Sequence, residues 1–144
     1  MAEEYRYTWP RKLTNGLMEA VLRLGFGPPG IWLLSVKGRR TGKTYETPVS
    51  LVERDGSRYL VSPYGERSWV RNARASGEVG LRRGRTRDAR RIEEVPAADA
   101  VPVLKDYWHE NAITRSFFEV GPEAPETALI AEAARHPVFR LVEA

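Results

Sequence analysis

The chain has 144 residues, enough for one domain that buries roughly two thirds of its unfolded surface, and its 42% hydrophobic and 29% charged residues read as globular rather than disordered or fibrous. The lack of cysteine excludes a disulfide framework and every thiolate metal site; the two histidines, His109 and His136, do not approach a ligand spacing, so no metal is expected. A net charge of +4 favours an anionic partner without choosing between nucleic acid, a phosphorylated coenzyme and a lipid surface.

From Pro10 to Gly25 apolar residues recur at Leu13, Leu17, Met18, Val21, Leu22 and Leu24, which predicts an amphipathic helix ended by the breaker GFGPPG. Arg11, Lys12 and Arg23 on its polar face allow two readings, a helix packed on a core, which is the commoner cause, and a helix resting on a membrane surface. No apolar run approaches the roughly 18 residues of a membrane span, and the opening MAEEYRYTWP has no charged-then-apolar leader. A cytoplasmic location is expected, with a peripheral contact at the inner membrane face through this helix left open.

From Ile31 the pattern changes to short β-like runs, IWLLSV, TPVSLVE and RYLVSPY, with Asp55-Gly56 marking a tight hairpin between the last two. Ser68 to Ala75 reads as a short helix closed by Gly77. The run EVGLRRGRTRDARRIEEV returns to strand, with Gly84 placed to reverse or bend it. Ala98 to Asn111 reads as a helix whose inner face holds Val101, Leu104, Tyr107 and Trp108, with Pro102 near its first turn. Glu126 to Arg135 gives a last helix before the strand VFRLV. The sum is a mainly β chain with helices in its connections, a single antiparallel barrel or sheet in which residues 1–30 supply a helix and lead-in and residues 31–144 the barrel.

Three segments carry possible chemistry. In VKGRRTGKTYETPVS, the cations Lys37, Arg39, Arg40 and Lys43 surround Gly38 and Gly42, and glycine permits the positive φ that lets backbone N–H groups converge on an anion. A basic hairpin tip explains the same composition, but Pro48 inside the following strand marks an edge or interruption whose backbone groups are open to a planar ring. In LVSPYGERSWVRNARA, a Ser62-Pro63-Tyr64-Gly65 loop opens a helix that carries Trp69 and Asn72 on one face, which suits either a core helix or a wall beside a bound anion or ring. The arginines of LRRGRTRDARR lack interleaved aromatics for base stacking, so a solvated hairpin face outranks nucleic acid. Paired carboxylates and a Ser–His–Asp arrangement are missing, so catalysis by this chain would rely on a bound cofactor.

Taken in order and spacing, VKGRRTGKTYETPVSLVERDGSRYLVSPYGERSWVRNARASGEV and the terminal ARHPVFRLV resemble the deazaflavin-dependent nitroreductase family. The resemblance implies a split β-barrel of the FMN-binding type and the coenzyme F420, an 8-hydroxy-5-deazaflavin whose reduced form delivers hydride to a quinone, an enone or a nitroaromatic. It places Lys37, Gly38, Arg39, Arg40, Thr41, Gly42 and Lys43 around the coenzyme's phosphate and acidic tail, Pro48, Val49 and Ser50 beside its ring, and Trp69 and Asn72 on the helix that closes over it. Where many members have a serine-lysine-glycine-glycine loop, this chain has Ser62, Pro63, Tyr64 and Gly65, and Arg67 stands in for the missing lysine. Ser62, Tyr64 and Tyr107 are the candidate proton donors, with bulk water as their rival. A non-catalytic barrel that holds a lipid or other apolar ligand is the alternative from another class. The oligomeric state is not read from the sequence.

Overall fold

The computed structural model describes residues 9–25, 30–111 and 117–143, with side chains from residue 16 onward. The Arg11, Lys12 and Leu13 side chains and breaker residues 26–29 lie outside the described set. Ten elements follow one another: α1 (Trp9–Arg23), β1 (Ile31–Lys37), β2 (Thr44–Arg54), β3 (Ser57–Val61), α2 (Ser68–Ser76), β4 (Glu78–Arg83), β5 (Thr86–Glu94), α3 (Ala97–Glu110), α4 (Glu126–Arg135) and β6 (Val138–Glu143).

The six strands close into an antiparallel barrel in the order β1-β2-β3-β6-β5-β4. Two-residue reversals join the tightest pairs. Asp55 and Gly56 both take positive φ, 51° and 79°, the geometry that matches the right-handed twist of a hairpin. Gly84 (φ 59°) turns β4 into β5, so the sequence's choice between a reversal and a bend resolves as a reversal. Gly77 caps α2 in the left-handed region, and its N–H donates to the Ala73 carbonyl at 2.8 Å.

Alternation along three strands divides the apolar residues between two cores. Leu51, Leu60 and Phe139 pair across β2, β3 and β6 and point into the barrel, where they join Leu34, Val36, Val70, Val79 and Leu81. Their neighbours Val52, Val61 and Val138 point outward and meet α3 and α4 through Val101, Leu104, Trp108 and Leu129. All four residues expected on the inner face of α3 are buried. Helix α1 is more divided: Leu22 is fully buried, whereas Leu17 and Leu24 are 69% and 73% exposed.

Strand β2 gives the barrel its split. Residues 44–50 pair with β1, and only residues 51–54 pair with β3. The Leu51 N–H donates to Gly30 and the Gly38 N–H to Lys43, which fixes the phase of the β1–β2 ladder. In that phase the odd-numbered β2 residues, 45 to 51, bond toward β1, and the backbone groups of Glu46, Pro48 and Ser50 face the side that pairs with no strand. Proline fits there because the N–H it lacks would have had no ladder partner.

Candidate functional site

A cavity of about 870 Å³ opens along this unpaired edge of β2. One end is the β1–β2 connection, where Gly38, Arg39, Arg40 and Thr41 line the wall. That loop is held from within. Gly38 N–H donates to the Lys43 carbonyl (2.7 Å), Gly42 N–H to the Gly38 carbonyl (3.1 Å), and Lys43 N–H to Thr41 Oγ1 (3.2 Å). Gly42 takes φ 72°, and Thr41 Oγ1 lies 3.1 Å from the Tyr45 hydroxyl. Gly38 is closely approached: a Cβ there would sit 2.6 Å from the Tyr45 ring and 2.9 Å from Thr41 Oγ1, so both side chains would have to shift. Three of the loop's N–H groups are thus spent on the loop itself and a fourth, that of Arg39, on Asn72, so the convergence that its composition suggests narrows to the Arg40 and Thr41 amides.

The buried Asn72 of α2 anchors the same loop from across the cavity. Its Oδ1 accepts both the Arg39 backbone N–H (3.1 Å) and the Arg39 guanidinium (2.7 Å). A neutral amide is therefore the partner of Arg39, and the described residues place no carboxylate within ion-pair distance of Lys37, Arg39, Arg40 or Lys43. Several arginines elsewhere are compensated: Arg74 by Glu66 and Glu94, Arg58 and Arg90 by Asp88, Arg54 by Asp106. The excess charge of this loop is local and available to an anion.

The remaining walls come from four segments. Pro48, Val49 and Ser50 line the unpaired edge; Pro63, Tyr64 and Arg67 line the loop after β3; Trp69 and Asn72 line α2; and Tyr107 lines α3. The structure thus brings to one cavity thirteen of the eighteen residues singled out from the sequence. Lys37, Gly42, Lys43 and Gly65 are not among the residues that line the cavity. Ser62 is fully buried and its hydroxyl donates to the Gly65 carbonyl at 2.5 Å, so it shapes the turn and does not reach the cavity. Of the three candidate proton donors, Tyr64 and Tyr107 remain. Tyr64 stands edge-on to Phe117, with ring centroids 4.8 Å apart, and is 36% exposed; Tyr107 is buried at 3%.

Sequence reasoning missed a further set. Met18 and Glu19 of α1, together with Tyr45, Glu46 and Thr47 of β2, complete the cavity wall. Alternation along TYETPVS could have flagged Tyr45 and Thr47, which share a face with Val49; the approach of α1 is tertiary and left no local signal. Glu46 accepts from Arg23 of α1 at 2.5 Å. Burial pushes the Glu19 carboxyl above its usual range, opposed by Arg23 and reinforced by Glu46.

The arginine-rich β4–β5 hairpin forms no comparable concavity. Arg82 and Arg90 bond within the hairpin, to the Gly84 carbonyl and Asp88, while Arg83 and Arg91 donate to the Ile31 and Glu143 carbonyls and tie it to β1 and β6.

Residues 8–115 match the family model described as F420H(2)-dependent quinone reductase. No curated protein matches the chain. Among solved structures, one described as a domain-swapped dimer is 18% identical over 92% of this chain and 99% of its own length (TM-score 0.56). Another, the F420-H2 dependent reductase FDR-A, is 21% identical over 79% of this chain and 95% of its own (TM-score 0.50). Atu2129 from Agrobacterium tumefaciens str. C58, described as of unknown function, is 12% identical over 89% of this chain (TM-score 0.59), which spans about half (53%) of that protein. At these identities the solved structures support the barrel architecture alone. The family match covers three quarters of the sequence, and by it the chain belongs to the F420H(2)-dependent quinone reductases, as an F420-dependent reductase built on a closed six-stranded barrel.

Proposed function

We propose that this protein transfers hydride from reduced coenzyme F420 to a quinone in the cavity along β2. The observation that carries the reading is that one cavity is lined together by loop cations with no carboxylate partner among the described residues, by the unpaired edge of β2 and by aromatic side chains. The residues fit the coenzyme. Its phosphate and acidic tail match Arg39, Arg40 and the Arg40 and Thr41 amides, with Arg67 nearby and Lys37 and Lys43 adding longer-range attraction. Its flat ring matches the exposed backbone of Pro48 and Ser50 on one side and Trp69 on the other.

When bound, the reduced coenzyme supplies the hydride. What this chain contributes is orientation, exclusion of water and a place for developing charge. Charge that grows on a quinone oxygen needs a proton or a donor, and Tyr107 and Tyr64 are two of the hydroxyl-bearing residues that line the cavity. The family description favours a quinone over an enone or a nitroaromatic acceptor. The apolar-carrier reading fares worse, because an acyl chain would meet Glu19, Glu46, Arg39, Arg40 and Arg67 along the same wall.

Mixing purified protein with reduced F420 under anaerobic conditions and adding a naphthoquinone tests the reading directly. The expected result is enzyme-dependent return of the oxidised coenzyme's absorbance at a rate that saturates with quinone. Turnover with nitroaromatics alone would reject the acceptor, and coenzyme binding no tighter than about millimolar would reject the site. For location, no described helix is long and apolar enough to cross a membrane. Leu17 and Leu24, two helical turns apart and exposed, give α1 a strip suited to peripheral contact with a lipid surface. Co-sedimentation with anionic vesicles, lost in Leu17→Ser/Leu24→Ser, is the expected result if that contact forms.

A further inference from the structure

The α1 side of the cavity carries charge of the opposite sign to the loop at Gly38–Lys43. Met18 and Glu19 reach it from the helix and Glu46 from β2, while Arg23, bound to Glu46 at 2.5 Å, is not part of the wall. Among the described residues the ion pair accounts for one carboxylate and for one cation, so a single negative charge remains on this side, carried by Glu19. From this placement we infer that Glu19 is a specificity-determining residue, which turns anionic acceptors away from the α1 side of the cavity and admits neutral or cationic quinones. The inference rests on the quinone reading above and narrows its substrate class.

Three physical points support it. The cavity has two walls of unlike sign, so an anion entering it is attracted at Arg39 and Arg40 and repelled at Glu19. The coenzyme's own acidic tail is thereby directed to the cationic loop, and the α1 side is kept for the second reactant. Burial already makes a negative charge costly at Glu19, with Glu46 adding to it, and a second anion brought to the same place meets the same desolvation and repulsion. Removing the charge lifts the repulsion and leaves the apolar contacts of Met18 and Ile31 in place.

The test compares kcat/KM for a naphthoquinone with that for its sulfonate, in the parent, Glu19→Gln and Glu19→Lys, with F420 affinity measured by titration in each. The parent is expected to favour the neutral quinone. In Glu19→Gln the neutral-to-sulfonate ratio should fall about fivefold, in Glu19→Lys further still, and added salt should compress the differences, as it does for partly exposed charges. A general loss of structure would lower both rates together and leave the ratio where it was. If the parent oxidises the coenzyme with both quinones and the ratio stays within about twofold in both variants, Glu19 does not select by charge and the inference fails while the function stands. If the parent uses neither quinone, although it binds F420, the function proposed above fails and this inference with it.

Discussion

Asn72 shows how little of a binding loop's geometry is made by the loop. Its amide oxygen holds both the backbone and the guanidinium of Arg39, so a residue on α2 sets where a cation on the β1–β2 connection points. Asn72→Ala is expected to weaken F420 binding about tenfold by freeing Arg39, and Arg39→Ala added to it should cost little more, because the two act as one unit. Titration of the coenzyme across the four combinations measures this; additive losses would show that they act separately. Gly38 is the second sensitive position. Replacement by Ala puts a methyl group 2.6 Å from the Tyr45 ring and 2.9 Å from Thr41 Oγ1, so the Tyr45–Thr41 contact that holds the loop is disturbed. We expect Gly38→Ala to weaken the coenzyme by about tenfold or more with a fall in Tm of only a few degrees, since the loop is exposed and carries little of the core.

At the scale of elements, α1 is fastened to the barrel at two points. Its C-terminal turn accepts a backbone hydrogen bond from the β4–β5 reversal, Gly84 N–H to the Leu22 carbonyl at 2.7 Å, and Arg23 reaches Glu46. Gly84 and Gly25 approach so closely that a Cβ on Gly84 would lie 2.9 Å from the Gly25 Cα, with φ 59° adding strain. Backbone against backbone cannot yield as a side chain does. Gly84→Ala should therefore lift the end of α1, seen as faster amide exchange in residues 18–24, and should raise KM for the quinone more than it weakens F420. Equal exchange in parent and variant would show that the reversal does not hold the helix.

For the whole molecule, pH sensitivity is concentrated where α4 meets β6. Glu132 is fully buried and accepts from the Glu119 N–H (2.8 Å) and from Arg135, while His136 lies 3.2 Å from it and stacks on Phe118. Burial holds the His136 imidazole below its ordinary pKa, against the pull of Glu132 and of the Ser62 and Pro63 backbone. The unfolded chain then binds a proton near pH 6.5 that the folded chain resists, so this contribution to stability is complete above that pH and declines as the pH falls below it. Tm is expected to drop between pH 7 and pH 5.5, and His136→Gln to flatten that slope; an unchanged slope in the variant would assign it to other groups. Asp88 acts lower on the scale: burial raises its pKa, but Arg58 and Arg90 overcome this and hold it below the usual carboxylate value, so its share is lost only under more acid conditions.

The sequence by itself determined the elements and their order, because periodicity, Asp55-Gly56, Gly77 and Gly84 are local signals that need no partner to be read. It also determined where the charge collects, since Lys37, Arg39, Arg40 and Lys43 are contiguous. The tertiary structure decided which of these charges are available: Arg83 and Arg91 of the β4–β5 hairpin are taken up by carbonyls of β1 and β6, while among the described residues Arg39 of the loop is held by the neutral Asn72. It also decided that Ser62 faces inward to a carbonyl, that Met18, Glu19 and Glu46 line the same cavity, and that β2 leaves one edge of residues 44–50 unpaired. Those outcomes depend on how six strands close and where a helix lands on them, contacts between residues tens of positions apart that no window of sequence contains.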